Sequence, residues 1–198
     1  MQFPRNKKII FLAGNKKIKK KVKKIFDINN CDFLSILSQE ILNNSEAKKF
    51  NDLITFGFWI RKKNINLIKY NYKNEEFRFG HGLTFHVAPA NIALNFAYSF
   101  VLSLLAGNSN IVRVSSNKFR QNDIFFKILN KIFKLRKFKN IKENNLFLTY
   151  DYDEEITGLI SKNADCRVLW GSDKTIKNIK KVETQTSCKE VVFPDRYS

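Results

Sequence analysis

From Leu83 onward, short unbroken apolar runs alternate with longer stretches in which apolar residues recur every three or four positions. The runs Leu83–Ala88, Asn110–Val114, Leu146–Tyr150, Arg167–Trp170 and Glu190–Phe193 predict strands. They do not alternate polar with apolar, which is the pattern of strands buried on both faces. The stretches between them predict helices at Ala93–Ala106, Asp123–Lys137, Asp153–Lys162 and Lys174–Lys181; in the second, Ile124, Ile128, Ile132 and Leu135 share one face. Gly107 follows the first helix where a left-handed residue closes a helix end. Strand–helix alternation predicts an α/β fold, a doubly wound parallel sheet with right-handed connections. Ligands of such sheets gather at the carboxyl ends of the strands. That rule points to His86–Asn91 and Arg113–Ser116.

The first 70 residues read differently. Leu34, Leu37 and Ile41 mark a helix over Phe33–Leu42, and Phe50, Leu53, Ile54 and Phe58 mark a second. Within Lys16–Phe26, apolar Ile18, Val22, Ile25 and Phe26 are spaced as on a basic amphipathic helix, a surface helix or one that meets a membrane or nucleic acid. Asn64–Phe79 mixes β-prone residues with Asn and charges and predicts one or two extended segments. The chain thus divides into a helical segment, 1–70, and an α/β part, 71–198.

The net charge of +18 points to an anionic partner, whether nucleic acid, a phosphate-bearing cofactor, an acidic carrier or a membrane surface. Lys, Asn, Ile and Phe are abundant together, however, which suits a general compositional bias as well as a ligand. Residues 1–24 hold ten Lys/Arg and no acid. The apolar patch Ile9–Ala13 is too short for a signal-peptide core. Ile92–Ala106 is shorter than the roughly 20 residues a bilayer span needs, so no membrane span is expected. Cys31, Cys166 and Cys188 lack metal-ligand spacing, so no metal site is expected, and three unpaired thiols fit a reducing cytoplasm.

No Gly-x-Gly-x-x-Gly follows the first predicted strand. Trp170-Gly171-Ser172-Asp173 joins a strand to a helix, and the free N–H groups of a helix start attract an anion. The same residues make an ordinary Ser/Asp N-cap. Arg113-Val114-Ser115-Ser116 ends a strand with a planar fork of donors that suits a phosphate; a strand-end Arg facing solvent reads the same way. His81 and His86 flank a buried strand and read as structural histidines.

Three ordered stretches, PANIALNFAYSFVLSLLAGNSNIVRVSS (89–116), RVLWGSDKTIKNI (167–179) and EVVFPDRYS (190–198), resemble the acyl-CoA reductases of the luminescence fatty-acid reductases, a family within the aldehyde dehydrogenase superfamily. The resemblance covers about Phe77–Ser198. It implies an aldehyde dehydrogenase-like, Rossmann-like cofactor domain and an NADPH-dependent reduction of a fatty acyl thioester, carried by CoA or an acyl-carrier protein, to a fatty aldehyde through an acyl-cysteine. By resemblance, the Asn91 side chain donates to the oxyanion; an N-cap role suits Asn91 as well. Ala88 and Pro89 line the same turn. Arg113, Ser115 and Ser116 meet the ribose side of the cofactor, with Ser116 where NAD-preferring relatives carry Glu; its lack of charge favours NADPH. Gly171 and Ser172 meet the pyrophosphate. Ala93 departs from the family, which often has Pro there. The family's nucleophilic Cys lies in a catalytic domain beyond Ser198, so the resemblance implies a chain that stops short of it, with a separate catalytic-domain chain as one partner; Cys166 and Cys188 read as structural. The alternatives are a non-catalytic nucleotide-binding remnant and a basic module for nucleic acid or a membrane surface, although the chain lacks any specific nucleic-acid motif.

Overall fold

The computed structural model describes residues 3–4, 8–72 and 77–195. At its centre is β2 (Leu83–Val87), every residue of which is buried. Around it lie β3 (Ser109–Arg113), β4 (Asn145–Thr149), β5 (Cys166–Gly171) and β6 (Lys189–Pro194), all paired in parallel in the order β4-β3-β2-β5-β6. Each of the five lies within one residue of its predicted run. The connections are α4 (Asn95–Leu105) between β2 and β3, α5 (Arg120–Ile132) and the short α6 (Lys139–Glu143) between β3 and β4, α7 (Glu154–Ser161) and α8 (Asp173–Lys180). The predicted helix Asp123–Lys137 ends early, at Ile132, and α6 completes the crossing.

Two cores sandwich the sheet. On one face α4 and α5 pack with α1 (Ile28–Asn43), α2 (Asn51–Trp59) and α3 (Lys62–Asn71) around Phe33, Phe56, Phe96, Phe100, Phe125 and Phe147. Rings meet edge-on, as Phe100 does with Phe147 at 4.9 Å, the arrangement that ring quadrupoles favour. On the other face, Ile156 and Ile160 of α7 and Ile176 and Ile179 of α8 cover Phe85, Ile111, Leu148 and Leu169. Arg167 on β5 is 1% exposed. It pairs with Glu190 of β6 and donates to Ser161 Oγ (3.2 Å), Ile179 O (3.1 Å) and Val182 O (3.2 Å). One guanidinium therefore ties β5, β6, α7 and α8 together, with a hydrogen bond for each buried donor used.

The segment before β2 adds a strand and corrects two expectations. Ile10–Gly14, which hold most of the apolar patch Ile9–Ala13, form β1, antiparallel to β4 at the sheet edge. Lys16–Phe26 is not a helix but an extended strap along the amino-terminal ends of the strands. Its N–H groups donate outward, Asn15 to Asn145 O (3.0 Å), Lys19 to Glu143 O (2.9 Å) and Lys23 to Gly107 O (2.8 Å). A helix here would stack lysines three and four apart. Extended, Lys19, Lys20 and Lys23 instead pair with Glu143, Asp165 and Asp27. Asn64–Phe79 is not extended at its start, because α3 runs to Asn71; Ile65 is its buried residue and Asn64 Nδ2 holds Trp59 O at 2.6 Å. Packing on neighbouring helices overrides the weak helix propensity of its Asn and Ile residues. Lys73–Glu76, in the middle of that stretch, lie outside the described residues.

Gly107 closes α4 at φ +86°, as the sequence predicts, and it also receives the strap: a Cβ there would lie 2.1 Å from Lys23 O. Gly107→Ala should cost about 1–3 kcal/mol through backbone strain alone, and should lift the strap as well. Urea unfolding should show the loss, and limited trypsin digestion should cut faster within Lys16–Lys24. Unchanged stability and cleavage would refute this account of the strap.

Candidate functional site

The chain leaves β2 for β3 and β4 on one side, then crosses to β5 and β6 on the other. Such a reversal of strand order opens a crevice outside the carboxyl ends of the strands. Four connections meet at this edge: Ala88–Leu94 after β2, Val114–Phe119 after β3, Tyr150–Asp153 after β4, and the Gly171–Ser172 turn after β5.

The first connection is held from both sides. Ala88 N–H donates to Arg113 O (3.1 Å), Asn117 Nδ2 donates to Ala90 O (2.7 Å), and Leu94 N–H donates to Asn122 Oδ1 (3.3 Å). Pro89 is buried, whereas Asn91 is exposed at the turn. Asn91 is not the helix cap. That position falls to Leu94, which takes φ +61°, a left-handed conformation costly for a branched side chain. The departure at Ala93 thus coincides with a turn that coils once more before α4 begins.

Arg113 ends β3 half-buried. Its Nη2 donates to Tyr150 O (3.2 Å) and its guanidinium lies over the Tyr150 ring, 4.7 Å from the centroid. Its Nε is buried without a partner. Ser115 Oγ accepts from Asn117 N–H (3.1 Å), shaping the loop, and Ser116 is exposed. Tyr150 is itself locked, its hydroxyl 3.0 Å from Thr157 Oγ1. Burial raises its pKa and keeps the phenol neutral. Across the crevice, Gly171 takes φ +144°, outside the range of other residues, and Ser172 caps α8, accepting from Thr175 N–H (3.3 Å). The cap and the anion-ready helix start are therefore the same feature.

A cleft of about 480 Å³ is lined by Pro89 and Ile92 of the first connection, Asn95 of α4, and Trp170, Phe193 and Asp195, among others. Trp170 stacks on Phe193 at 4.0 Å. Asn95 Oδ1 is buried without a partner. A second, mostly apolar cleft of about 290 Å³ lies behind Trp170, with Leu102, Val168 and Val191 in its lining. Asn95, Tyr150 and Trp170 were not singled out from the sequence; a lone Asn or aromatic at an element end carries no signal until strand order brings the ends together. Arg196, Tyr197 and Ser198 lie outside the described residues.

His86 is structural, as expected, but its setting is specific. Its Nδ1 is 2.8 Å from Ser99 Oγ and its Nε2 is 3.0 Å from Asn110 Oδ1. Burial lowers its pKa from 6.5 to about 4, with the Asn110 hydrogen bond opposing. His81 is exposed. The cysteines are not activated. Burial, with Cys188, Asp165 and Glu190 nearby, raises Cys166 to about 11, and burial raises Cys31 and Cys188 too. A nucleophilic Cys needs the opposite shift.

The sequence model of the family described as acyl-CoA reductase (LuxC) matches residues 59–198. Comparison with curated protein sequences finds no match. Among solved structures, the chain is similar to betaine aldehyde dehydrogenase of Staphylococcus aureus, crystallised with NAD+, at 12% identity and a TM-score of 0.59, covering 83% of this chain and 37% of that one. It is similar to proline utilization A of Bradyrhizobium japonicum at 14% identity and a TM-score of 0.60, covering 84% and 20%. A lactaldehyde dehydrogenase matches at 14% identity and a TM-score of 0.57, covering 84% and 39%. This chain therefore spans well under half the length of each, and at these identities the likeness establishes the fold: the aldehyde dehydrogenase-like α/β architecture.

The buried imidazole sets a pH dependence. The unfolded chain takes up a proton below pH 6.5, which the folded chain refuses until about pH 4. The contribution of neutral His86 is complete above 6.5 and is lost as pH falls between those values, by up to about 3 kcal/mol. Urea unfolding of the wild type and of His86→Gln should show the stability gap narrowing by that amount from pH 7 to 4. Parallel pH profiles would contradict the assignment.

Proposed function

The chain belongs to the acyl-CoA reductase (LuxC) family, and from that premise we propose that it forms the cofactor-binding part of an NADPH-dependent reductase that converts fatty acyl thioesters, on CoA or an acyl-carrier protein, to fatty aldehydes. The observation that carries the NADPH reading is Arg113. Its guanidinium is half-buried at the crevice edge, oriented by Tyr150, with a buried Nε that has no partner. The Arg113–Ser116 turn carries no acid. A carboxylate at Ser116 would bind ribose hydroxyls and repel a 2′-phosphate, whereas Ser with Arg nearby accepts one.

The residues present fit a dinucleotide laid across the crevice. Arg113, Ser115 and Ser116 hold the adenosine side. Gly171 lets a pyrophosphate approach the start of α8, where free N–H groups and the Ser172 hydroxyl receive it. The cleft between Pro89 and Trp170 takes the nicotinamide side, with Asn95 Oδ1 available to an amide donor. NADPH supplies the hydride when bound. Asn91 holds a developing oxyanion with its side-chain N–H. The nucleophile is none of Cys31, Cys166 and Cys188, whose thiols burial keeps protonated. The competing basic-module reading uses the basic N-terminus; within it, Lys16–Phe26 is a strap with three lysines in ion pairs, which favours the cofactor reading.

Fluorescence titration should show tighter binding of NADPH than of NADH. Arg113→Ala should weaken NADPH about tenfold, roughly 1.4 kcal/mol, and leave NADH little changed. Equal affinities for the two cofactors would overturn the reading.

The 198-residue chain should not consume NADPH in the presence of long-chain acyl-CoA. Turnover that vanishes in Cys166→Ser or Cys188→Ser would place the nucleophile here after all.

A further inference from the structure

A chain of hydrogen bonds crosses the sheet beneath the cleft, and its donors and acceptors fix one another. Asn145 Nδ2 donates to Ile141 O (2.6 Å), leaving its Oδ1 to accept from Asn110 Nδ2 (2.8 Å). Asn110 Nδ2 also donates to Asn108 O (3.1 Å), so its amide nitrogen is fully committed. Asn110 Oδ1 must then accept, and His86 Nε2 carries the proton that it accepts. A neutral imidazole has one N–H. His86 Nδ1 is therefore an acceptor, and the Ser99 hydroxyl donates to it (2.8 Å). Ser99 Oγ in turn accepts from Trp170 Nε1 (3.4 Å). Every link points one way, from the Trp170 indole through Ser99, His86, Asn110 and Asn145 to the backbone of α6.

The chain ends on the residue that divides the two clefts. Trp170 lines both of them, stacks on Phe193 and directly precedes the Gly171–Ser172 turn. Ser99 lies four residues beyond Asn95, on the same face of α4. A fully buried imidazole at the centre of β2 is costly, and apolar residues would fill that core at less risk. What the polar chain adds is direction: it permits the Trp170 ring one orientation.

We propose that His86 is a positioning residue for cofactor binding, which through Ser99 fixes the rotation of the Trp170 indole so that Trp170 and Phe193 present a rigid wall to the nicotinamide half of the dinucleotide. The inference rests on the cofactor reading above. It makes the nicotinamide half, and not the adenosine half, depend on Ser99.

The test uses a Trp59→Phe background, which leaves Trp170 as the sole indole of the two in the chain. Ser99→Ala deletes one hydroxyl from a packed helix and should fold; His86→Gln is the second variant. Acrylamide quenching of Trp170 should rise about twofold in Ser99→Ala, because the ring loses its acceptor. Calorimetric affinity for NADPH should fall about fivefold, while affinity for 2′,5′-ADP, which lacks the nicotinamide half, should not change. Unchanged quenching, or equal weakening of both ligands, would overturn the positioning role and leave the cofactor reading standing. A wild-type chain that binds neither ligand would overturn the cofactor reading itself, and the role of the wall with it.

Discussion

Burial of β2 on both faces is the constraint from which the rest follows. Every residue of Leu83–Val87 is buried, so its side chains need a layer on each side, and His86 takes internal partners in Ser99 and Asn110. The aromatic core under α4 and α5 supplies one layer and the aliphatic core under α7 and α8 the other. Both layers come from crossover helices that must return the chain to the same end of the sheet. The loops after β2, β3, β4 and β5 are thereby gathered at one edge without any attraction between them. Arg113 and Gly171 become neighbours of Pro89 through topology, and their chemistry is added to a crevice that the fold already creates.

The five parallel strands were legible because strands buried twice write themselves as short unbroken apolar runs. The alternation between them fixed the parallel order, and with it the edge that carries Pro89, Asn91, Arg113, Gly171 and Ser172. Where burial is one-sided or the register is distant, legibility failed. β1 pairs with β4 across more than 130 residues, and its five residues hold no alternation that separates an edge strand from a loop. The strap had helical spacing by coincidence: Ile18, Val22 and Ile25 fall three and four apart, but backbone carbonyls at the strand starts outcompete a helix of stacked lysines. Asn91 lies in the turn after β2, and its alternative as a cap failed because α4 begins four residues later, behind Leu94 in the left-handed region. Tyr150 and Ser99 meet Arg113 and Trp170, neighbours far away in the chain.

Charge behaves in the same way. The net charge of +18 already subtracts every acid, so ion pairs use none of that excess; what they do is fix where part of the basic N-terminal stretch lies. Lys19, Lys20 and Lys23 tack the strap to Glu143, Asp165 and Asp27. Each such exposed pair is worth at most about 1 kcal/mol, and together with the strap's backbone bonds they fix one path for it. Arg113 differs from these lysines in its setting: it is half-buried and held against Tyr150, a setting that suits the phosphate contact proposed for it.

Neither the three cysteines nor His86 is set up as a nucleophile or a base. A thiolate needs a nearby positive group or a helix start, whereas Cys166 sits at the opposite end of β5 from Gly171, with carboxylates as neighbours. The one imidazole near the crevice is committed on both nitrogens and held neutral by burial. It has no lone pair left to take a proton from a substrate. The cysteines and the buried imidazole are held in structure, while Asn95 and Asp195 in the lining of the larger cleft offer hydrogen bonds and charge. That division suits a cofactor platform, because a dinucleotide carries its own reactive carbon and asks of the protein only placement and electrostatic support.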